Sequence, residues 1–351
     1  DEASTAVDRV LAGGEGVSRE VFKKAEALKA YLLLYRGMID DAAVIIARNR
    51  EAGAVEYSAL AFAYGIARGS AYDEEIPVKA LAGSGLLLHP DRLRLLIAEY
   101  LFLAGRESEA RGMVAGIGAG TPFSPREACK IAMLGGGTGG LKITERRAAG
   151  ILALFRESDG DRIRARAVPL MEAGGRFDRL SPFPLAAAMQ AYSQSERFPS
   201  VHALLGTTDL DRIAAAAFWM DLFPVFMRMY ELNRAERRYG DALTVLGTIG
   251  ASAGKVRIPA VRASYEYALG TELLRASRFH DSYESAKAGR ALVAGKHPLV
   301  TRFELLLLEN EISLGRLDEA SVRVNALGTA GGELRYIAEM LGARLGLARD
   351  R

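Results

Sequence analysis

The chain has 351 residues, half of them hydrophobic and a quarter charged, and its 46 basic and 43 acidic side chains leave a net charge of +3. That length holds two ordinary globular domains or one elongated repeat array, and the near balance of charge, with acids beside the basic spots Arg146-Arg147, Arg162/Arg164/Arg166 and Arg234/Arg237/Arg238, excludes the concentrated basic stripe of a nucleic-acid binder. No run approaches the ~18 uninterrupted apolar residues of a membrane span, and the single cysteine, Cys129, has no internal disulfide partner and reads as a small buried side chain.

In chain order, residues 1–12 form a short helix with Val7, Val10 and Leu11 on one side, ended by Gly13-Gly14-Glu15-Gly16. Ser18 is the expected N-cap of a helix over 19–35. Gly37 then turns the chain, and Asp40-Asp41-Ala42 opens a helix carrying Val44, Ile45 and Ile46. An apolar helix covers 54–68 and Gly69 follows. A weaker partner is expected around 73–82, interrupted by Pro77, since proline inside a helical pattern starts or kinks the helix. His89-Pro90 leads into a helix over 91–104, Gly105 turns the chain, and a helix over 107–116 returns. Ser124-Pro125-Arg126-Glu127 is a strong helix start: an N-cap serine, proline at the first position and glutamate three residues after the cap.

Gly135-Gly136-Gly137-Thr138-Gly139-Gly140 breaks that helix. Helices are expected to follow from Thr144 to about Phe155, over roughly 160–173, over 184–194, from Phe198, over 209–220 and over 224–235. Tyr239-Gly240-Asp241-Ala242 opens another, followed by helices over 258–276 and about 281–293. His297-Pro298 opens a helix over 299–314, Gly315 turns it, and a helix over 317–327 returns. The last helix, 333–348, has Leu334, Ile337, Ala338, Leu341 and Leu345 at helical spacing and reads as a cap.

One pattern recurs. Gly105-Arg106-Glu107-Ser108-Glu109-Ala110 returns as Gly315-Arg316-Leu317-Asp318-Glu319-Ala320, and Gly37 stands five residues before Ala42 as Gly105 does before Ala110. Each is the tight turn between two antiparallel helices, with the alanine at their closest contact, where large side chains would hold the helices apart. Ala42 and Ala110 are 68 residues apart, twice 34, while Val201, Ala242, Ser282 and Ala320 follow at 41, 40 and 38. This spacing, with Ile97-Ala98, Leu101, Gly105, Ala110, Val114, Ile117 and Pro122 as the best single copy, resembles the tetratricopeptide repeat. Leu307-Leu308, Gly315, Ala320, Val324 and Leu327 form a second copy, and Ala30, Leu33, Gly37, Ala42 and Ile46 a third.

The resemblance implies an all-α fold: a right-handed α-solenoid of antiparallel helical hairpins with a C-terminal capping helix. Its parts would be N-terminal hairpins over 1–118, an irregular middle with the glycine-rich loop over 119–180, and C-terminal hairpins with the cap over 181–351. It departs from the family in its longer late spacing and in the stretch 119–180, which has no clear copy. It also implies a non-enzymatic scaffold that binds a partner protein or peptide on a concave face. Walls of that family often hold peptide termini through lysine and asparagine. Here Leu95 and Glu99 stand at the matching positions, so a basic clamp is not expected.

The sharpest rival is Gly135-x-Gly137-x-x-Gly140, which spells the dinucleotide-binding fingerprint, with Asp159 nineteen residues beyond Gly140. Against it, the capped stretch from Ser124 predicts a helix where that fingerprint needs a strand. Leu141 stands where a phosphate loop needs lysine. The four histidines, His89, His202, His280 and His297, lie far apart with no metal-ligand spacing, no serine has a nucleophile-elbow context, and the acid pairs Asp40-Asp41 and Glu74-Glu75 fit turns and first helical turns. No catalytic residue, cofactor or metal is therefore expected.

The aromatic group Phe218, Trp219, Phe223, Phe226 and Tyr230 is at helical spacing and reads first as core. Its rival reading is a partner-binding surface of Trp219, Phe223, Phe226 and Tyr230. A small-ligand site at the 135–140 loop or at the 218–230 cluster is the alternative to a scaffold. The chain starts at Asp1, and a removed export signal or lipid anchor would fit a bacterial periplasmic or envelope assembly, with the cytoplasm as the alternative.

Overall fold

A computed structural model of the chain describes residues 2–13, 16–49, 55–71, 74–77, 88–118, 123–135, 233–252, 258–328 and 339–343, with isolated positions that include 81, 121, 223, 226, 227, 230, 231, 345 and 346. Among these residues the fold is all-α, and no strand occurs. The helices are α1 (Glu2–Ala12), α2 (Arg19–Tyr35), α3 (Ile39–Asn49), α4 (Val55–Ala67), α5 (Pro90–Leu103), α6 (Glu107–Ala115) and α7 (Pro125–Met133). After the middle stretch come α8 (Tyr239–Ser252), α9 (Pro259–Arg275), α10 (Phe279–Arg290), α11 (Pro298–Ser313) and α12 (Leu317–Gly328). The expected helices over 144–155, 160–173, 184–194 and 209–220 lie, but for isolated positions, outside the described residues. Of the expected helix around 73–82, residues 74–77 are not helical, since the residue before a proline is steered away from the helical region, while Leu81 is helical.

The helix starts follow from their caps. The Ser18 hydroxyl accepts the Val21 N–H at 3.3 Å. At α7 the Ser124 hydroxyl accepts the Glu127 N–H, and the Glu127 carboxylate accepts the Ser124 N–H at 2.8 Å. The two His-Pro starts use the imidazole: His89 Nδ1 accepts from the Asp91 N–H at 3.3 Å, and His297 Nδ1 from the Leu299 N–H at 3.2 Å.

The hairpin turns share one geometry. At α5–α6 the Arg106 N–H donates to the Leu101 carbonyl at 2.8 Å and the Gly105 N–H to Phe102 at 3.0 Å, with Gly105 at φ +79. The same pair of bonds closes the turns at Gly37, Gly69 and Gly315, with φ +74, +71 and +72. Here the left-handed position favours glycine. Two turns do without it: Arg237 at φ +60 and Ser277 at φ +58 make the same bonds. In five of these six turns a fully buried small residue comes five positions beyond the left-handed one: Ala42, Ala110, Ala242, Ser282 and Ala320; after Gly69 that position is the exposed Glu74. The arginine after the turn meets an acid three residues on, as in Arg106–Glu109, Arg238–Asp241, Arg278–Asp281 and Arg316–Glu319.

Helices pack on the next in sequence through α1–α4, α4–α5, α5–α6 and α8–α12, and on the second next at α2·α4, α5·α7 and α9·α11. Small residues set the closest approaches. A Cβ at Gly289 would lie 2.2 Å from Phe303 Cζ, and one at Gly270 3.0 Å from Leu306 Cδ2. The α5·α7 contact buries an ion pair, Lys130 with Glu99, with the lysine 4.7 Å from the Tyr35 ring centroid. A further contact joins distant parts of the chain, α4 to α9, and beside it Gly69 lies against the Leu292 carbonyl. One hydrophobic core accordingly runs from Ala27 through Leu134 and on to Phe223, Tyr230 and Tyr265.

Candidate functional site

Where these N-terminal and C-terminal helices face each other lies a cleft of about 650 Å³. One side is the end of α5 (Phe102, Leu103, Ala104), the start of α6 (Glu107, Arg111) and the end of α7 (Leu134, Gly135). The other is α9 (Ser264, Tyr267, Ala268) and the start of α11 (His297 to Leu299, Arg302). A third wall comes from Phe223, Met227, Tyr230, Glu231 and Arg234, whose spacing of three and four residues puts them on one helical stripe.

One residue of the glycine loop and two of the aromatic group line this cleft together. Gly135 lines the cleft opposite Phe223 and Tyr230. Of the aromatic group, Phe223 and Tyr230 are buried and line the cleft. Phe226 is fully buried in the core and does not line it. Phe218 and Trp219 lie outside the described residues, as do positions 136–140 of the glycine loop. Gly135, at φ +83, carries the side-chain stem of Arg111 over it, with Arg111 Cγ 3.4 Å from where a Cβ would stand.

Polar contacts orient the walls. The Tyr230 hydroxyl donates to Glu272 Oε1 at 3.0 Å. Burial, and then the charge of Glu272, hold that hydroxyl well above its ordinary pKa, so it remains a donor. Glu272, buried one turn beyond Ala268, also meets Arg275 at 3.3 Å and Arg234 at 3.6 Å. Two guanidinium groups therefore share one carboxylate, leaving local charge of +1. Arg111 pairs with Glu107 at 3.5 Å, both largely exposed. Arg302 lies 5.9 Å from the Tyr267 ring centroid, and that ring stands edge-on to Phe303 at 5.6 Å. Among the described residues Arg302 has no carboxylate within ion-pair distance. Burial lowers the His297 pKa to about 4, so its ring is neutral near pH 7 and adds no charge to the cleft.

This arrangement offers aromatic surface and guanidinium donors. No group of three His, Cys, Asp or Glu placed to hold a metal occurs among the described residues. The residues before Gly135 form α7, a helix, where a dinucleotide fingerprint requires a strand. No helix among the described residues is long and apolar enough to cross a membrane. Sequence reasoning did not single out Tyr267, Arg302 or Met227. Each is an ordinary residue at helical spacing, and only the meeting of α9, α11 and the 223–234 stripe gives them a common address. Comparison with protein-family models, curated proteins and solved structures finds no match to this chain.

Proposed function

We propose that the chain is a non-enzymatic helical-repeat scaffold that receives a partner protein or peptide in the cleft between its two groups of helices. On this reading the hairpins belong to a right-handed α-solenoid of the tetratricopeptide kind, with the buried Leu341 and Leu345 on its C-terminal capping helix. Support comes from packing of helices on the next and the second next, and from the buried small residue that recurs five positions after each of five turns. The functional part rests on the cleft itself: aromatic and arginine side chains from both halves of the chain converge on one cavity.

A second reading, a small-ligand site in the same cleft, is favoured by one observation: a volume of about 650 Å³ falls within the range of small-molecule pockets. Photo-crosslinking separates the two. A benzophenone amino acid at position 227 of the full chain, irradiated in extract of the source cells, is expected to give one discrete polypeptide adduct. Absence of any polypeptide adduct, with a small molecule co-purifying instead, would overturn the scaffold reading.

A further inference from the structure

The lining of the cleft is an aromatic floor inside a charged rim. Phe223, Tyr230 and Tyr267 supply the floor with Met227, and Arg111, Arg234 and Arg302 stand among the rim groups with Glu107 and Glu231. A dedicated small-molecule pocket encloses its ligand behind mostly apolar walls with few polar groups. Aromatic, methionine and arginine side chains inside a polar rim are the make-up of a protein-recognition surface. The volume takes a few side chains of an extended segment and is far too small for a folded domain.

Charge then selects the segment. Glu107 is engaged by Arg111, and Glu231 already has an interaction of its own. Glu272 is shared by Arg234 and Arg275. Among the described residues Arg302 is the rim cation with no carboxylate partner, its guanidinium carbon 5.9 Å from the Tyr267 ring centroid, so its N–H groups are available to a ligand. The first turn of α11 contains no acid of its own to meet Arg302.

We infer, building on the scaffold reading, that the cleft recognises an internal stretch of a partner polypeptide in which an aspartate or glutamate stands beside a bulky apolar side chain. The carboxylate meets Arg302, and the apolar side chain lies on Met227 and the aromatic floor. The carboxylate belongs to a side chain, so free chain ends are not required.

Selection from a random heptapeptide display library, with both peptide ends blocked by fusion, on the immobilised full chain tests this. Wild type is expected to enrich Asp and Glu next to Phe, Trp, Tyr, Leu or Met by about threefold to fivefold, the scale of one partly exposed ion pair. Arg302→Glu should lose that enrichment. Arg9→Glu, an exposed arginine on α1 outside the cleft, should keep it. Melting midpoints of the variants show whether they are folded, and Arg302→Lys, which keeps the charge, should keep part of the enrichment if Arg302→Glu does not fold.

Peptides selected without acid enrichment, or with equal enrichment on Arg302→Glu, would overturn the inference. If position 227 still crosslinks to a polypeptide, the scaffold reading survives that failure. If neither peptides nor a polypeptide adduct appear while a capped fatty acid analogue or decanoate binds by calorimetry, both fail.

Discussion

The hairpins α5–α6 and α11–α12 are written in the same residues and put to different uses. Each opens on His-Pro with the imidazole as cap, turns on Gly-Arg with the glycine left-handed, and buries an alanine five residues later. They differ at the residue after the proline. Asp91, buried at the start of α5, accepts from the Gly118 N–H at 3.1 Å, from the Thr121 hydroxyl and from Arg94 at 2.9 Å. Its carboxylate ties the chain beyond α6 back to the start of α5. In α11 that position is Leu299, which joins a small apolar cluster with Phe303 and Leu307. The first hairpin is closed by its own acid. The second leaves its start and Arg302 facing the cleft. Equivalent joints build the frame, and the binding chemistry proposed for the cleft rests on one copy omitting the local partner that another copy supplies.

The largest effect is expected at Asp91. Asp91→Ala removes a buried carboxylate that accepts three hydrogen bonds, from the Gly118 N–H, the Thr121 hydroxyl and the part-buried Arg94, and should lower stability by about 3–4 kcal/mol in urea unfolding. The pH response of the second hairpin comes next. The His297 pKa in the folded chain, about 4, lies below its ordinary 6.5. As pH falls through 6.5 the unfolded chain takes up this proton and the folded chain does not until about 4. Stability from this group is therefore complete above 6.5, falls as pH drops and levels off below 4, a loss of about 3 kcal/mol. His297→Asn, which keeps a capping side chain, should flatten that part of the stability–pH curve, as followed by calorimetry.

The shared features should respond alike in the two hairpins. Ala110→Leu and Ala320→Leu each overpack a fully buried joint and should each lower stability by about 1–3 kcal/mol, with a matching drop in melting midpoint. Smallest is the loss of a cap: His89→Ala should destabilise by about 1 kcal/mol near pH 7 in urea unfolding.

Much of the frame was legible because it is local. Ser18, Ser124-Pro125, His89-Pro90 and His297-Pro298 mark helix starts through side-chain capping that needs no distant partner. Gly37, Gly105 and Gly315 mark turns for the same reason. The turns at Arg237 and Ser277 carry no such mark, because their left-handed residues are not glycine. Ala242 and Ser282 betrayed the joints all the same, since close helix approach demands a small side chain whatever makes the turn. Ser282 does more than fit: its hydroxyl donates to the Gly270 carbonyl at 2.7 Å and accepts from Asn310 at 2.8 Å.

The cleft was legible only in fragments. Gly135 and the 223–230 aromatics stood out for their composition, but their meeting depends on α4 packing on α9, a contact between segments some two hundred residues apart that no periodicity encodes. The same limit hid Arg302 and Tyr267, which look like solvated and core residues of a regular helix until α9 and α11 are seen to share a wall.

Docking of the two groups of helices makes the cleft. Gly69→Val tests it most directly, because a β-branched residue is strained at φ +71 and its Cβ would already touch the Leu292 carbonyl, 3.4 Å away, before its two methyl groups are placed. Peptide-resolved hydrogen exchange of this variant should show faster exchange across the contact, in α9 and the α10–α11 turn, as well as in α4. Faster exchange confined to α4 and its own turn, with α9 through α11 protected as in wild type, would contradict it.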